Sequence, residues 1–155
     1  SVLTQNSVST SIYSRTNNTV ITQRIELGSS NGTVDFQECI RWDGTLGNLS
    51  RLNNGYIGGG YIPTKTSGYY ITSRTTNSLT KKFEDNVLKE TATDTSQTPN
   101  SLSLFIGARN DSSIAIFYDI KQYAFSHIGD GLSDSEASAM YTSVQSYQTS
   151  MARQV

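Results

Sequence analysis

Charged residues are scarce in this chain, and neither sign is in excess. They make up 16% of its 155 residues, against about 25% in typical soluble domains, and the formal net charge is -1. Nucleic acids and anionic membranes are bound through a surplus of lysine and arginine, so the sequence excludes an electrostatic binder of either kind. No apolar run approaches the roughly 20 residues of a membrane-spanning helix, and no membrane insertion is expected.

Cysteine and histidine occur once each, as Cys39 and His127. A lone cysteine forms no internal disulfide, and one histidine cannot supply the cluster that zinc or copper sites need. Both residues fall in strand-like runs, where we predict packing roles. Calcium is the metal left open because it takes oxygen ligands, for which the loop candidates are Asp94, Asp111 and Asp130. No Asp-rich binding loop is present, so no cofactor is predicted.

Small polar residues are abundant, with 23 serines, 19 threonines and 11 asparagines. Apolar and polar residues alternate with period two in short runs, which is typical of a β-sandwich or barrel. Turn dipeptides separate several of the runs; they are Asn31-Gly32, Asp43-Gly44, Asn54-Gly55 and Asp130-Gly131. The predicted strands are residues 8–14, 19–27, 33–42, 56–62, 68–74, 78–83, 86–91, 101–108, 113–120 and 121–128. Residues 91–100 are predicted to form the longest loop.

Helical spacing appears once, near the C-terminus, and predicts a helix over residues 133–151. Ser133 and Glu136 have the spacing of a capping box, in which each side chain satisfies a free backbone N–H of the first turn. An apolar stripe follows at three- and four-residue steps, and we expect it to pack against the sandwich. Its members are Ala137, Met140, Tyr141, Val144, Tyr147 and Met151.

Several segments carry a family resemblance. They are Ser103-Leu-Phe-Ile-Gly-Ala-Arg-Asn110, the run Tyr123-Ala-Phe-Ser-His-Ile-Gly-Asp-Gly-Leu-Ser-Asp-Ser-Glu-Ala137, Met151-Ala-Arg-Gln-Val155 and residues 62–74. Together they resemble the concanavalin A-like (laminin G-like) jelly-roll domains of structural proteins in tailed bacteriophages. The resemblance implies an all-β jelly-roll β-sandwich with one C-terminal α-helix, with strands over about residues 8–128. We expect one domain over residues 1–155, either a processed chain or a segment of a longer fibre protein.

The resemblance also implies a function. It favours a non-catalytic domain of a phage head or tail fibre, displayed extracellularly on the virion surface beside other virion proteins. Such fibres are symmetric homo-oligomers, and a trimer is favoured. The domain is expected to contact host-surface polysaccharide. The alternatives are a purely structural decoration without ligand and a carbohydrate-binding module of a glycan-active enzyme.

A sugar site requires flat aromatic faces beside planar donors and acceptors. The glycine-rich stretch and its flanks offer these groups, and Gly58, Gly59 and Gly60 form either a shallow binding floor or a bulge. The candidate glycan-binding residues are Trp42, Asn53, Asn54, Tyr56, Tyr61 and Arg74. In the structural alternative, the tyrosines pack the sandwich instead. Arg109 is predicted to tie loop carbonyls, and Asn110-Asp111 suits a turn.

Catalytic carboxylates are the remaining possibility. Glycosidases place two carboxyl groups about 5 to 10 Å apart across the scissile bond. Glu84 and Asp85 are adjacent and either face opposite ways on a strand or form a turn, and Asp35 and Glu38 differ in parity. Neither makes a good pair, so the sequence predicts no enzyme activity.

Overall fold

The computed structural model describes residues 3–18, 23–42 and 47–155. Within these residues, strands form two sheets and a helix follows them. The strands are β1 (Val8–Ser14), β2 (Leu27–Ser30), β3 (Asp35–Glu38), β4 (Leu49–Leu52), β5 (Gly55–Gly58), β6 (Gly68–Arg74), β7 (Thr80–Glu84), β8 (Val87–Ala92), β9 (Phe105–Ile106), β10 (Arg109–Asp111), β11 (Ile114–Ile116) and β12 (Tyr123–Gly129). The helix is α1 (Asp134–Ser150).

The two sheets pack face to face as a β-sandwich of the jelly-roll type, and the predicted fold class is confirmed. The five-stranded sheet has the order β12-β1-β6-β7-β8, and the seven-stranded sheet has the order β11-β10-β2-β3-β4-β5, with β9 also paired to β2. Strands β5 and β8 lie close together at one side of the sandwich. Strands β11 and β12 are the edge strands at the other ends of their sheets.

Strong alternation located most of the strands, whereas β4 and β10 lie outside every predicted run. Residues 8–14 and 68–74 form β1 and β6 as predicted. The predicted turn at Asn110-Asp111 is wrong, because both residues pair with β2 and β11 as part of β10, and the chain turns at Ser112 and Ser113 instead. The predicted Asp43-Gly44 turn and the first residues of run 19–27 lie outside the described residues.

The β4–β5 hairpin turns one residue earlier than predicted. Asn53 and Asn54 both have positive φ, at 53° and 67°, which suits a two-residue turn that matches the twist of the strands. Gly55 already belongs to β5, where a Cβ would lie 1.3 Å from Nη2 of Arg74. Glycine is therefore required there by close packing.

The interior between the sheets combines an apolar cluster with buried charge. The cluster consists of Val8, Ile12, Leu27, Phe36, Ile40, Leu52 and Tyr70. On β7, Lys82 is fully buried and its Nζ lies 2.8 Å from Oε1 of Glu38. A buried pair of this kind costs nearly as much desolvation energy as it recovers, but removing one partner alone is strongly destabilising.

Helix α1 covers the outer face of the five-stranded sheet. Ser133 is its N-cap, and the predicted capping box with Glu136 is confirmed. The helix buries Ala137 and Val144 against a second cluster that contains Tyr13, Tyr69, Ile71 and Phe83. No helix among the described residues is long and apolar enough to cross a membrane.

The last two turns of α1 depart from the predicted stripe. Tyr147 and Met151 are 51% and 50% exposed, whereas Gln148 is fully buried. The amide of Gln148 donates to the carbonyl of Ala124 on edge strand β12 at 3.4 Å. The helix reaches the edge of the sheet there. Gln148 therefore bonds to a backbone carbonyl of the edge strand, and Tyr147 and Met151 face outward.

Candidate functional site

A row of planar polar side chains crosses the outer face of the seven-stranded sheet. Direct pairings connect neighbouring strands, and directly paired residues point to the same face. The paired positions are Ile116, Arg109, Gly28, Gln37, Arg51 and Tyr56. We call the four polar residues Arg109, Gln37, Arg51 and Tyr56 the polar row. With strands about 4.8 Å apart, it extends for about 19 Å.

Two arginines of the polar row are each held by a carboxylate on the same face. Nη1 of Arg51 lies 2.5 Å from Asp35, and Nη2 of Arg109 lies 2.5 Å from Asp111. Nη1 of Arg109 also donates to Oε1 of Gln37 at 3.3 Å, spanning Gly28, which has no side chain. The charges cancel in pairs, so the row carries no net charge. Gln37 is only 1% exposed, and its amide also donates to the carbonyl of Leu49 at 2.9 Å.

Both guanidinium groups retain an unused donor. Among the described residues, the buried Nε–H of Arg51 and that of Arg109 have no hydrogen-bond partner. Unpaired buried donors are rare in proteins because each carries a desolvation penalty. The Nε–H groups of Arg41 and Arg153 are also buried without a partner among the described residues, so this feature is not specific to the polar row.

Tyr56 ends the polar row at strand β5. Its ring lies 5.7 Å from the guanidinium carbon of Arg51. Burial raises the pKa of the Tyr56 hydroxyl, and the Glu90 carboxylate raises it further, so the group stays protonated at neutral pH. The hydroxyl lies beside Gly59, where an added Cβ would come within 3.3 Å of it. Within the described residues this hydroxyl has no hydrogen-bond partner.

Trp42 lies near the opposite end of the row. Its ring packs edge-on against Phe117, with centroids 5.2 Å apart, and Phe117 lies 4.8 Å below the guanidinium of Arg109. Trp42 and Tyr56 are both partly exposed. The structure thus places these two predicted residues at opposite ends of one surface.

Tyr61 occupies a different environment, at the side where β5 and β8 meet. Its hydroxyl donates to Glu84, and Nζ of Lys89 lies 5.2 Å from its ring centroid. Burial raises the pKa of Tyr61, and its hydrogen bond to Glu84 adds to the effect. Its hydroxyl and one ring face are thus occupied by the protein itself.

The structure corrects the predicted roles of Asn53 and Arg74, since both are fully buried. The amide of Asn53 donates to the carbonyls of Thr4 and Gln5. The guanidinium of Arg74 donates to backbone carbonyls of Leu52, Thr76, Asn77 and Asp94. These two side chains tie loops together and do not reach a surface ligand. Asn54 is partly exposed and serves the hairpin turn.

The glycine-rich stretch serves close backbone packing. A Cβ at Gly58 would lie 2.2 Å from the carbonyl oxygen of Asn48. Gly59 has a φ of 87°, and the N–H of Gly60 donates to Glu90 on β8 at 3.1 Å. The stretch therefore bends the chain from the seven-stranded sheet toward the edge of the other sheet.

Comparison with solved structures identifies domain 4 of AbnA, a GH43 extracellular arabinanase from Geobacillus stearothermophilus, determined in complex with arabinotriose. The two share 18% identity with a TM-score of 0.54, and the match covers 90% of this chain and 68% of that one. No protein-family profile and no curated protein sequence matches the chain. The similarity shows a shared β-sandwich fold. The phage origin implied by the sequence resemblance stays a prediction.

The acidic residues considered for catalysis are held in separate places. Asp35 lies on the outer face with Arg51, whereas Glu38 is buried between the sheets with Lys82. Glu84 bonds to Tyr61 and Tyr70, and Asp85 sits in the following turn. Among the described residues, no group of three or more histidine, cysteine, aspartate or glutamate side chains could hold a metal ion.

Sequence reasoning missed most of the polar row. Gln37 and Arg51 are separated by a hairpin and become neighbours through the β3–β4 register. Arg109 reaches them through the parallel pairing of β10 with β2, a long-range contact with no local signal. One signal was present in the sequence. Arg51 and Tyr56 are equally far from the turn at Asn53 and Asn54, so they face each other across the hairpin.

Proposed function

We propose that this chain is a non-catalytic glycan-binding module and that the polar row is its binding surface. The observation that carries the proposal is the line of polar side chains without net charge on the outer face of the sandwich, ending at the hydroxyl of Tyr56 and at the ring face that Arg51 does not cover. Sugar hydroxyls require paired donors and acceptors, and the apolar face of a sugar ring packs on an aromatic ring.

The length and charge of the row favour a neutral oligosaccharide. A strip of about 19 Å is longer than one sugar unit and suits an extended chain that crosses several strands. Arg51 and Arg109 are each neutralised by an aspartate, so no cationic centre is left to select an acidic sugar.

Two further considerations support this function. A domain of the same fold, from an arabinanase, was determined with arabinotriose bound, so such a sandwich can present a sugar site. In addition, the acids proposed as catalytic pairs are engaged in separate ion pairs and hydrogen bonds. A phage appendage on the virion surface, contacting host polysaccharide, is a finer version of this proposal that rests on the sequence resemblance.

The test is calorimetric titration of the purified chain with arabinotriose, followed by a panel of neutral oligosaccharides and bacterial surface polysaccharides. We expect binding to a subset of these glycans. Tyr56→Ala and Arg51→Ala should each weaken that binding by about tenfold or more, because each removes a direct contact. Tyr147→Ala is the matched control, since this tyrosine is 51% exposed on the helix, away from the row.

Two results would contradict the proposal. One is the absence of binding to every glycan in the panel by the folded protein. The other is binding that Tyr56→Ala and Arg51→Ala leave unchanged, which would place the ligand elsewhere. Thermal melts of each variant establish that the chain stays folded.

A further inference from the structure

A groove runs between helix α1 and edge strand β12, on the outer side of the five-stranded sheet. Its volume is about 590 Å³, and its walls are formed by Met140, Ser143, Val144 and Tyr147 of the helix and by Phe125 of the strand. Small-molecule sites have volumes of about 300–1,000 Å³, whereas each partner of a protein interface contributes about 20 to 30 residues. A groove with this volume and this short lining therefore fits a small molecule better than a protein.

The helix gives the groove an elongated shape. Met140, Val144 and Tyr147 follow one another at steps of four and three residues, so they line one side of α1 over about 10 Å. The ring of Phe125 packs edge-on against Tyr69, with centroids 6.0 Å apart, and Val144 is buried, so both walls are held in place by the core of the domain. An extended alkyl chain of about eight carbons has the length of this groove, at about 1.2 Å per bond.

Arg153 places a positive charge at the Tyr147 end of the groove. Its guanidinium carbon lies 5.5 Å from the centroid of the Tyr147 ring, and its backbone N–H donates to the carbonyl of Gln148 at 2.9 Å. No carboxylate of the described chain forms an ion pair with this guanidinium. At the other end of the helix, by contrast, Lys81 is paired with Asp134 at 2.7 Å. An apolar groove that ends at an unpaired cation is complementary to a ligand with an apolar body and an anionic head.

We propose that this groove binds a linear alkyl carboxylate of about eight carbons, with its chain along α1 and its carboxylate beside Arg153. The apolar walls hold the chain, because binding removes apolar surface of both ligand and protein from water. The guanidinium donates to the carboxylate through its paired N–H groups. An alkylammonium of the same length would bring two positive charges together. The groove and the polar row lie on different sheets, so the proposal is independent of glycan binding.

The test is calorimetric titration of the purified chain with sodium octanoate, 1-octanol and octylammonium chloride, which share one chain length. We expect octanoate to bind at least about tenfold more tightly than octylammonium. Arg153→Gln should weaken octanoate binding by about tenfold or more and leave 1-octanol binding unchanged, because the alcohol has no anionic head. Met140→Asp should weaken the binding of both, because it places a charge in the apolar wall.

Lys89→Gln is the matched control for the loss of a positive charge. Lys89 lies on β8, at the opposite edge of the five-stranded sheet from β12, so its substitution should leave the binding of all three probes unchanged. Nuclear magnetic resonance locates the site on the wild type, since octanoate should shift the signals of Ser143 and Tyr147 and not those of β8.

Three results overturn the proposal. These are the absence of saturable octanoate binding up to about 10 mM, equal affinity for octanoate and octylammonium, and octanoate binding that Arg153→Gln leaves unchanged. Thermal melts establish that each variant stays folded. If Met140→Asp fails this check, Ser143→Asp replaces it, because Ser143 is exposed and lines the same groove.

Discussion

The two outer faces of this sandwich differ in what covers them. On the five-stranded sheet the outward residues include Tyr69, Ile71 and Phe83, and helix α1 packs over them. On the seven-stranded sheet the outward residues include Arg51 and Arg109, and no described helix covers them. An apolar face gains stability when the chain covers it, whereas a face of paired charges gains little from cover and stays available to a ligand.

We expect the face under the helix to determine stability and the face of the polar row to determine glycan binding. Substitutions under the helix should lower the free energy of unfolding and leave glycan affinity unchanged. Substitutions on the polar row should lower glycan affinity and leave the free energy of unfolding unchanged. Each of the following changes tests one side of that division.

The largest expected effect is that of Tyr69→Ala, under the helix. The ring of Tyr69 contacts those of Tyr13, Phe125 and Tyr141, and its hydroxyl bonds to Ser11 at 2.8 Å. Removal of a buried aromatic ring leaves a cavity, so we expect a loss of about 3–5 kcal/mol in urea denaturation. A loss below about 1 kcal/mol would show that the helix does not depend on this face. The fraction that remains folded should bind glycan normally.

Tyr69 should also make the free energy of unfolding sensitive to alkaline pH. Burial raises the pKa of Tyr69 to about 12, whereas in the unfolded chain it is about 10. Because the folded pKa is the higher one, the stabilising contribution is complete below about pH 10 and is lost as pH rises towards 12. Tyr69→Phe, which cannot ionise, should lose stability more slowly in this range, by up to about 1.4 kcal/mol per pH unit. Equal slopes in urea denaturation against pH would refute this.

Arg109→Lys tests how far a ligand extends along the open face. Lysine keeps the charge but cannot bond to both Gln37 and Asp111 with a planar fork. For a glycan that spans the row we expect about a tenfold loss of affinity by calorimetry and little change in stability. If only Tyr56→Ala weakens binding, the ligand is short and occupies the β5 end.

The smallest expected effect is that of Ser133→Ala at the start of the helix. The hydroxyl of Ser133 accepts from the N–H of Glu136, and the substitution should cost about 1 kcal/mol in thermal or urea unfolding. Ser146→Ala is the control, because Ser146 is exposed in the body of the helix. An equal effect of both changes would mean that the cap contributes nothing. Neither change should alter glycan affinity.

Local patterns predicted the fold, and long-range pairing determined the site. Strands β1 and β6 were predictable because seven residues of alternation are a strong signal, and Ser133 with Glu136 identifies the helix start. Strand β4 was missed because its sequence Leu-Ser-Arg-Leu does not alternate between apolar and polar residues. The order of strands across a sheet follows from contacts distant in sequence, and so does the polar row.

Residue type alone misled the prediction in two places. Asn53 and Arg74 have the planar groups that bind sugars, but the same groups also bind backbone carbonyls inside a protein. Their burial depends on the loops around them, which no pattern in the sequence specifies. Tyr56 was predicted by type and lies at the end of the row because Arg51 is its cross-strand partner.

Arg74 also bears on how this molecule unfolds. Its donors reach the carbonyls of Leu52 in one sheet, of Thr76 and Asn77 in a turn, and of Asp94 in the long polar loop. A buried guanidinium that loses one of these acceptors is left unsolvated, so partial detachment of the loop carries a penalty in the core. The loop around Asp94, despite its lack of regular structure, should therefore open cooperatively with the sandwich and not as a separate early step.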